Sequence, residues 1–462
     1  MKDKLKQIYS FMPGIVKSSI DEMWYRLPVQ LKYGTAYTDM LNLLKESETW
    51  SKGKIYDWQT ATVKKLLLHA YHTTKFYKRS FDNAGFDPNT FSYLDELEKI
   101  PVIDKKIVQA NLNDMLSDSF SKGMRQKMTT GGTTGNQMTF YAQKGFTIPR
   151  EIAFFDYLWG KAGYVAGKSE KVILRNNVIA NECLWEYDNK SHAWIIDPYH
   201  LTEENCEKII IFLNKIKIPF FHVYPSSILA LADYMNKNNH RLEYVPQAIF
   251  ASSENLYKGQ REIIENTFGC KLLLHYGHSE MCCVAPWCLK ENHYHLSEVY
   301  GFTELLDENN DVINESGKIG EITATGFNNY AMPLIRYKTA DYASYSSEKH
   351  SCGYSGRIIE NIEGRWLQEM LVTSQGNKIS MTAINFHSDV FDNVKFYQFY
   401  QDTPGLVTMK IVKEKSYGVK DEHAIKEAMQ EKLGKYLALT IEYVDEIEKA
   451  PNGKFRYIIS KL

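Results

Sequence analysis

The chain has little that would tie it to a membrane or to nucleic acid. Its 462 residues contain no apolar run approaching the roughly 20 that a membrane-spanning helix needs. Lysine plus arginine number 55 against 56 for aspartate plus glutamate, and a net charge of −1 argues against nucleic acid or anionic lipid as the main partner. No sustained apolar stretch follows Met1-Lys2-Asp3-Lys4, so no signal peptide is expected and a cytoplasmic protein is. Cysteine is scarce. Cys183, Cys206, Cys270, Cys282, Cys283, Cys288 and Cys352 are odd in number and have no repeated spacing, which fits reduced thiols better than a disulfide framework. Internal repeats and low-complexity tracts are absent. What is present, 44% hydrophobic and 24% charged residues, is the composition of a soluble globular protein with room for two or three domains.

One stretch stands apart: Thr129-Thr130-Gly131-Gly132-Thr133-Thr134-Gly135. Glycine frees the backbone for positive φ, threonine adds hydroxyls, and the loop can turn many donors onto an anion. It lacks what a Walker A loop requires. Asn136-Gln137 stands where Lys-Ser/Thr would be, and the flanks, Lys127-Met128 and Met138-Thr139-Phe140-Tyr141, read as strands, so no helix follows. That excludes a P-loop kinase. Taken alone, the stretch reads as readily as a surface turn.

Residues 1 to about 120 read as helical, with Val63, Leu66, Leu67 and Ala70 at helical spacing over 60–71. From about 140 the pattern alternates. Strands are expected over 171–174, 220–223, 248–251 and 271–274, with helices over 149–164, 206–215, 225–235 and 256–268. Strands separated by helices of about ten residues imply crossovers and a largely parallel sheet, so the fold class is α/β. Ligands in such sheets sit beyond the carboxyl ends of the strands. That places Tyr224-Pro225-Ser226, Ser252-Ser253-Glu254 and Tyr276-Gly277-His278-Ser279-Glu280 on one rim.

The order of motifs now resembles a known family. The Thr/Gly stretch is followed by Tyr276-Gly277-His278-Ser279-Glu280, by Gly317-Lys318-Ile319-Gly320-Glu321, and by Arg336-Tyr337-Lys338-Thr339-Ala340-Asp341, with Ala340 where glycine is usual. Gly364-Arg365 and Pro451-Asn452-Gly453-Lys454-Phe455-Arg456 complete the series. Together they resemble the adenylate-forming superfamily, in its phenylacetate–CoA ligase-like branch, and are most similar to capsular-polysaccharide-biosynthesis members. The resemblance implies a large N-terminal domain over 1–363, with the helical lead-in and layered, largely parallel sheets, and a small mobile α+β domain over 364–462. In the latter, 395–400, 406–412, 422–433 and 439–444 read strand–strand–helix–strand.

The resemblance also implies roles. The enzyme would use ATP and Mg²⁺ to adenylate a small carboxylic acid, release pyrophosphate, and pass the acyl group to CoA, a carrier thiol or a sugar acceptor. Thr129, Thr130, Gly131, Gly132, Thr133, Thr134 and Gly135 would hold the β- and γ-phosphates. Glu280 would hold Mg²⁺, a hard cation suited to carboxylate and phosphate oxygens. Asp341 would accept from the ribose hydroxyls. Ser253, Glu254, Tyr276, Gly277, His278 and Ser279 would frame the nucleotide, and Arg365 would join both nucleotide site and catalysis. Lys454 would bring a point charge to the α-phosphate and the substrate carboxylate in the transition state. Glu369, next to Gln368, would be the hinge acid. Departures from the family pattern at Ala340 and the hinge keep a second reading open, a non-catalytic nucleotide-binding scaffold of a polysaccharide assembly complex.

Cys288, His295, His350 and Cys352 form a separate group that could give two thiolates and two imidazoles to a tetrahedral Zn²⁺, with His350 where some relatives carry cysteine. Unrelated buried thiols and surface histidines are the plainer alternative.

Overall fold

The structure is a computed structural model that describes residues 14–462 except 131–137, 176–178, 180–182, 255, 257–258, 347–349, 364–369, 377, 381–383, 385–388 and 448–457. The chain forms two compact units, one of Met1–Thr35, Asp156–Ala251 and Leu256–Leu272, the other of Ala36–Phe155, Ser252–Asn255 and Leu273–Leu462. The sequence expectations on Gly131, Gly132, Thr133, Thr134, Gly135, Arg365, Glu369 and Lys454 lie outside the described residues.

The first unit is built on short apolar strands. β3 (Lys171–Leu174), β6 (Phe220–Val223) and β7 (Ala248–Ala251) run parallel, as does β5 (Ala193–Ile196), while β4 (Trp185–Asp188) is antiparallel to β5. Their order within this unit is β4-β5-β3-β6-β7. All four residues of Ala248-Ile249-Phe250-Ala251 are buried, as a strand covered on both faces requires. The crossovers are helices. Glu203–Ile216 starts at Thr202, whose side chain accepts from the Asn205 amide, and carries Glu203 and Glu204 in its positive first turn. Pro225–Lys237 has its proline at the first turn, where no amide donor is lost. The α/β reading of the sequence is borne out.

The second unit begins with helices. Lys52–Thr73 is capped by Ser51 and buries Val63, Leu66, Leu67 and Ala70. A hairpin follows, β1 (Arg125–Thr129) on β2 (Thr139–Gln143), with Met128 opposite Phe140. Beyond it lie the helix Thr147–Gly160 and the antiparallel pair of β8 (Lys271–Gly277) with β9 (Val284–Pro286). A five-stranded sheet then assembles in the order β10-β14-β13-β12-β11. Its strands are β10 (Tyr294–His295), β11 (Gly301–Leu306), β12 (Ile319–Gly326), β13 (Tyr337–Tyr345) and β14 (Ile358–Glu363), and every neighbouring pair is antiparallel. The run of parallel strands with helical crossovers therefore belongs to the first unit, while this five-stranded sheet is antiparallel throughout. Near the C-terminus the strands Val394–Thr403, Leu406–Lys413, Ala438–Tyr443 and Ile458–Ser460, with the helix Val419–Leu433, make a small α+β sheet.

Candidate active site and metal centre

The Thr/Gly stretch leaves a hairpin and does not open a helix, as its flanks predict. Thr130 closes the neck. Its amide donates to Met138 O (2.9 Å), and its Oγ1 accepts from the Met138 amide (3.0 Å). Thr129 is still in the ladder, opposite Thr139. These two threonines extend the pairing of β1 and β2 as far as Thr130 and Met138.

Tyr276, His278 and Glu280 of the rim converge with Tyr337 and Asp341 of β13. Tyr276 and Gly277 end β8, and the Tyr276 hydroxyl donates to Asp341 Oδ2 at 2.9 Å. Tyr337, at the start of β13, donates to Glu280 Oε1 at 2.7 Å. His278 Nδ1 lies 3.3 Å from Glu280 Oε2, within ion-pair reach though off the line of a hydrogen bond. Burial alone would raise the Glu280 carboxyl, but the His278 imidazole and the Tyr337 hydroxyl outweigh it and hold the group at about 2. Ser279 is half-buried between His278 and Glu280. Ser253 and Glu254 stand on the loop after β7, Ser253 with a φ of 71°.

Asp341 owes its position to a break in the ladder. Thr323 faces Lys338 and Glu321 faces Tyr342, so the single residue Ile322 stands opposite three, Thr339, Ala340 and Asp341. Two extra residues are bulged out of β13, a device that re-aims a side chain. Ala340 takes a φ of 62° there, which explains why glycine is the family's usual choice. The bulge is pinned from β12. Glu321 accepts from the Ala340 amide (3.0 Å) and pairs with Lys338 (2.9 Å), while Thr339 Oγ1 donates to Ile322 O (2.8 Å). The glutamate of the Gly317-to-Glu321 motif therefore shapes the Asp341 turn. Gly320 is needed beside it, because a Cβ there would lie 2.6 Å from Ile313 Cδ1 and 3.0 Å from Leu306 O. Arg336 anchors the other end, meeting the Glu304 carboxylate at 3.0 and 3.1 Å and donating to Ile100 O at 2.7 Å. Tyr337, Glu321 and Glu304 were missed from sequence. Tyr337 lay in a quoted motif, and no local signal marked Glu304.

The thiols and imidazoles also converge, with one change of member. Ligand atoms of Cys288, His293, His295 and Cys352 all lie within 4.8 Å of one another. His293 Nε2 and His295 Nε2 are 3.0 Å apart, and Cys352 Sγ is 3.6 and 3.4 Å from them. With metal–nitrogen bonds of about 2.0 Å and metal–sulfur bonds of about 2.3 Å, a tetrahedron has edges of about 3.3 to 3.8 Å, close to these separations. His350, expected in this set, stands outside it. Its Nδ1 is 2.9 Å from Glu291 Oε2, and that carboxylate lies 3.6 Å from His293 Nδ1. Spacing misled because a turn decides the geometry: the Cys288 amide donates to His293 O at 2.9 Å, bringing His293 beside the thiol. Glu291 is held at about 2, chiefly by the hydroxyl and amide of Ser351. A carboxylate behind a ligating imidazole is the usual support of a zinc site.

The family profile of the CapK C-terminal domain matches residues 371–461. Protein CapK of Staphylococcus aureus is 24% identical over 471 residues, covering 99% of this chain and 100% of its own. A phenylacetate–coenzyme A ligase of Thermus thermophilus is 23% identical over 344 residues, covering 71% of this chain and 74% of its own. In fold, the chain resembles 2-hydroxyisobutyryl-CoA ligase in complex with 2-HIB-AMP and CoA, with a TM-score of 0.57, 16% identity, and coverage of 90% of this chain and 91% of that one. The chain is a homologue of CapK and of the phenylacetate–CoA ligases, and it has the fold of adenylate-forming ligases.

Proposed function

From this kinship we propose that the chain, an AMP-forming ligase, adenylates a small carboxylic acid with ATP and transfers the acyl group to CoA, a carrier thiol or a sugar acceptor. The observation that carries the reading is the paired arrangement Tyr276–Asp341 and Tyr337–Glu280, which sets two carboxylates on neighbouring elements, with the Tyr337 hydroxyl also 3.9 Å from Met138 Sδ at the end of the Thr/Gly stretch. In this reading Asp341, fixed by Tyr276 and the bulge, accepts from the ribose hydroxyls. Glu280, ionised well below neutral pH, suits Mg²⁺, which would offset the charge of the phosphates. The substrate carboxylate attacks the α-phosphorus and pyrophosphate leaves, so positioning and charge neutralisation supply the catalysis.

The parts outside the described residues keep the roles that the family pattern gives them. Gly131, Gly132, Thr133, Thr134 and Gly135 hold the phosphates, Arg365 serves nucleotide and catalysis, and Lys454 meets the reacting centre when the domain over 364–462 turns about Glu369. Full-length kinship with CapK supports a place in surface polysaccharide biosynthesis, in the cytoplasm where ATP is available. The second site takes Zn²⁺ on Cys288, His293, His295 and Cys352, with a structural role because protein side chains fill all four positions. Pyrophosphate release measured against a panel of carboxylic acids tests the function. Release that depends on both ATP and an acid supports it, and none with any acid would turn the reading to the non-catalytic scaffold.

A further inference from the structure

Two polar groups near Glu280 are left without a partner or a role by the reading above, the Nε2 of His278 and the carboxyl of Glu151, which feels the His278 imidazole. The His278 side chain is only 10% exposed, and its Nε2 is buried without a hydrogen-bond partner among the described residues. Glu151, on the helix Thr147–Gly160, is half-buried, and its Oε2 accepts from the Tyr300 hydroxyl. No lysine or arginine pairs with it among the described residues. Burial pushes the Glu151 carboxyl up to about 7, against the pull of the Tyr300 hydroxyl and the nearby His278 imidazole. The walls around them are aromatic, with Phe154 edge-on to Tyr300 at 5.4 Å and the Tyr276 and Tyr337 rings each 6.4 Å from that of His278.

A pocket for a plain hydrocarbon acid would have no use for such groups. Beside such a substrate the His278 Nε2 would stay buried and unpartnered, and the Glu151 carboxyl would gain no donor beyond the Tyr300 hydroxyl. A ligand carrying its own hydrogen-bonding group removes that penalty, and sites built this way discriminate strongly against analogues that lack the group. We infer that Glu151 and His278 are specificity-determining residues of the acid pocket, and that the acid bears a hydroxyl or amino group close to its carboxylate. The inference rests on the adenylation reading. Under that reading the acid's carboxylate meets the nucleotide phosphates, whose Mg²⁺ Glu280 would hold, and His278 Nδ1 lies 3.3 Å from the Glu280 carboxylate, which sets the group close to the reacting end of the acid.

Unreactive acyl-sulfamoyl adenosines test this on the full chain without requiring turnover. Calorimetry would compare the mimics of lactate, alanine and propanoate, and those of mandelate, phenylglycine and phenylacetate. The hydroxyl or amino member of at least one series should bind at least about tenfold tighter than its hydrocarbon partner. Glu151→Gln, which keeps an acceptor for Tyr300, should erase most of that preference if the group is an ammonium and less if it is a hydroxyl. His278→Leu should reduce the preference in either case, read as the ratio of hydroxyl or amino mimic to hydrocarbon mimic within that one variant, and it carries the test should the Gln variant not fold. Hydrocarbon mimics that bind as well as or better than both partners in both series overturn the inference while leaving adenylation intact. Failure of every mimic to bind removes the adenylation reading and this inference with it.

Discussion

Asp341 shows how much of the site depends on single atoms. Its carboxylate accepts from the Tyr276 phenol, and a hydrogen bond to a charged group is worth about 1.5–3 kcal/mol. Tyr276→Phe should therefore raise KM for ATP by about tenfold with a smaller effect on kcat, and Asp341→Ala should raise it further. Equal KM in Tyr276→Phe and wild type would remove the phenol from nucleotide binding. Ala340 gives the opposite expectation. A left-handed conformation costs a non-glycine residue about 1–2 kcal/mol, and replacing alanine with glycine returns about 0.5–1 kcal/mol of that through the unfolded chain. Ala340→Gly should be stabilising by on the order of 0.5 kcal/mol in urea unfolding. A destabilised variant would mean that the alanine methyl has a packing role.

At the scale of elements, β3 and the metal turn make separate predictions. Lys171 opens β3, its ammonium donating to Ser191 O at 3.1 Å, and burial holds its pKa down to about 8 from 10.5. Below pH 8 the lysine is charged whether folded or unfolded, and the fold bears the full cost of burying it. As pH rises towards 10.5 that cost disappears. Stability relative to Lys171→Met should thus rise by on the order of 2–3 kcal/mol between pH 8 and 10.5, the difference cancelling other groups that titrate there. A flat difference would show that the ammonium is solvated. For the metal, protein purified without chelator should contain about one zinc per chain. His293→Ala and Cys352→Ser should lose it together with thermal stability, and His350→Ala should retain it. Zinc loss in His350→Ala but not in His293→Ala would restore the set expected from spacing.

For the whole molecule the sharpest separation of enzyme from scaffold is Lys454. Lys454→Ala should cut acid-dependent pyrophosphate exchange by about 10²–10³-fold while leaving the fold and ATP binding in place. Thioester formation from supplied acyl-adenylate should survive, because that half-reaction does not need the lysine at phosphorus. Equal exchange in both proteins would take Lys454 out of the mechanism. Much of this molecule was legible in the sequence. Val172, Phe221 and Ile249 sit in short apolar runs whose burial needs no partner to be named, and Val63 to Ala70 mark a helix face by spacing alone. The Tyr276-to-Glu280 rim was legible for the same reason. The Asp341 bulge was not, because a bulge exists only relative to the register of β12. Nor was His293 distinguishable from His350, since a four-residue turn chose between them.

The bulge also bears on how such a protein could change its trade. It inserts two residues, one full period of a strand, so removing Thr339 and Ala340 would restore an unbroken ladder without turning any β13 side chain to the wrong face. The Glu321 contact with Ala340 and the Thr339 bond to Ile322 O would go with the turn, and under the proposed function so would the ribose contact of Asp341. On that reading, a two-residue in-frame deletion in β13 would cost the site more than it costs the sheet.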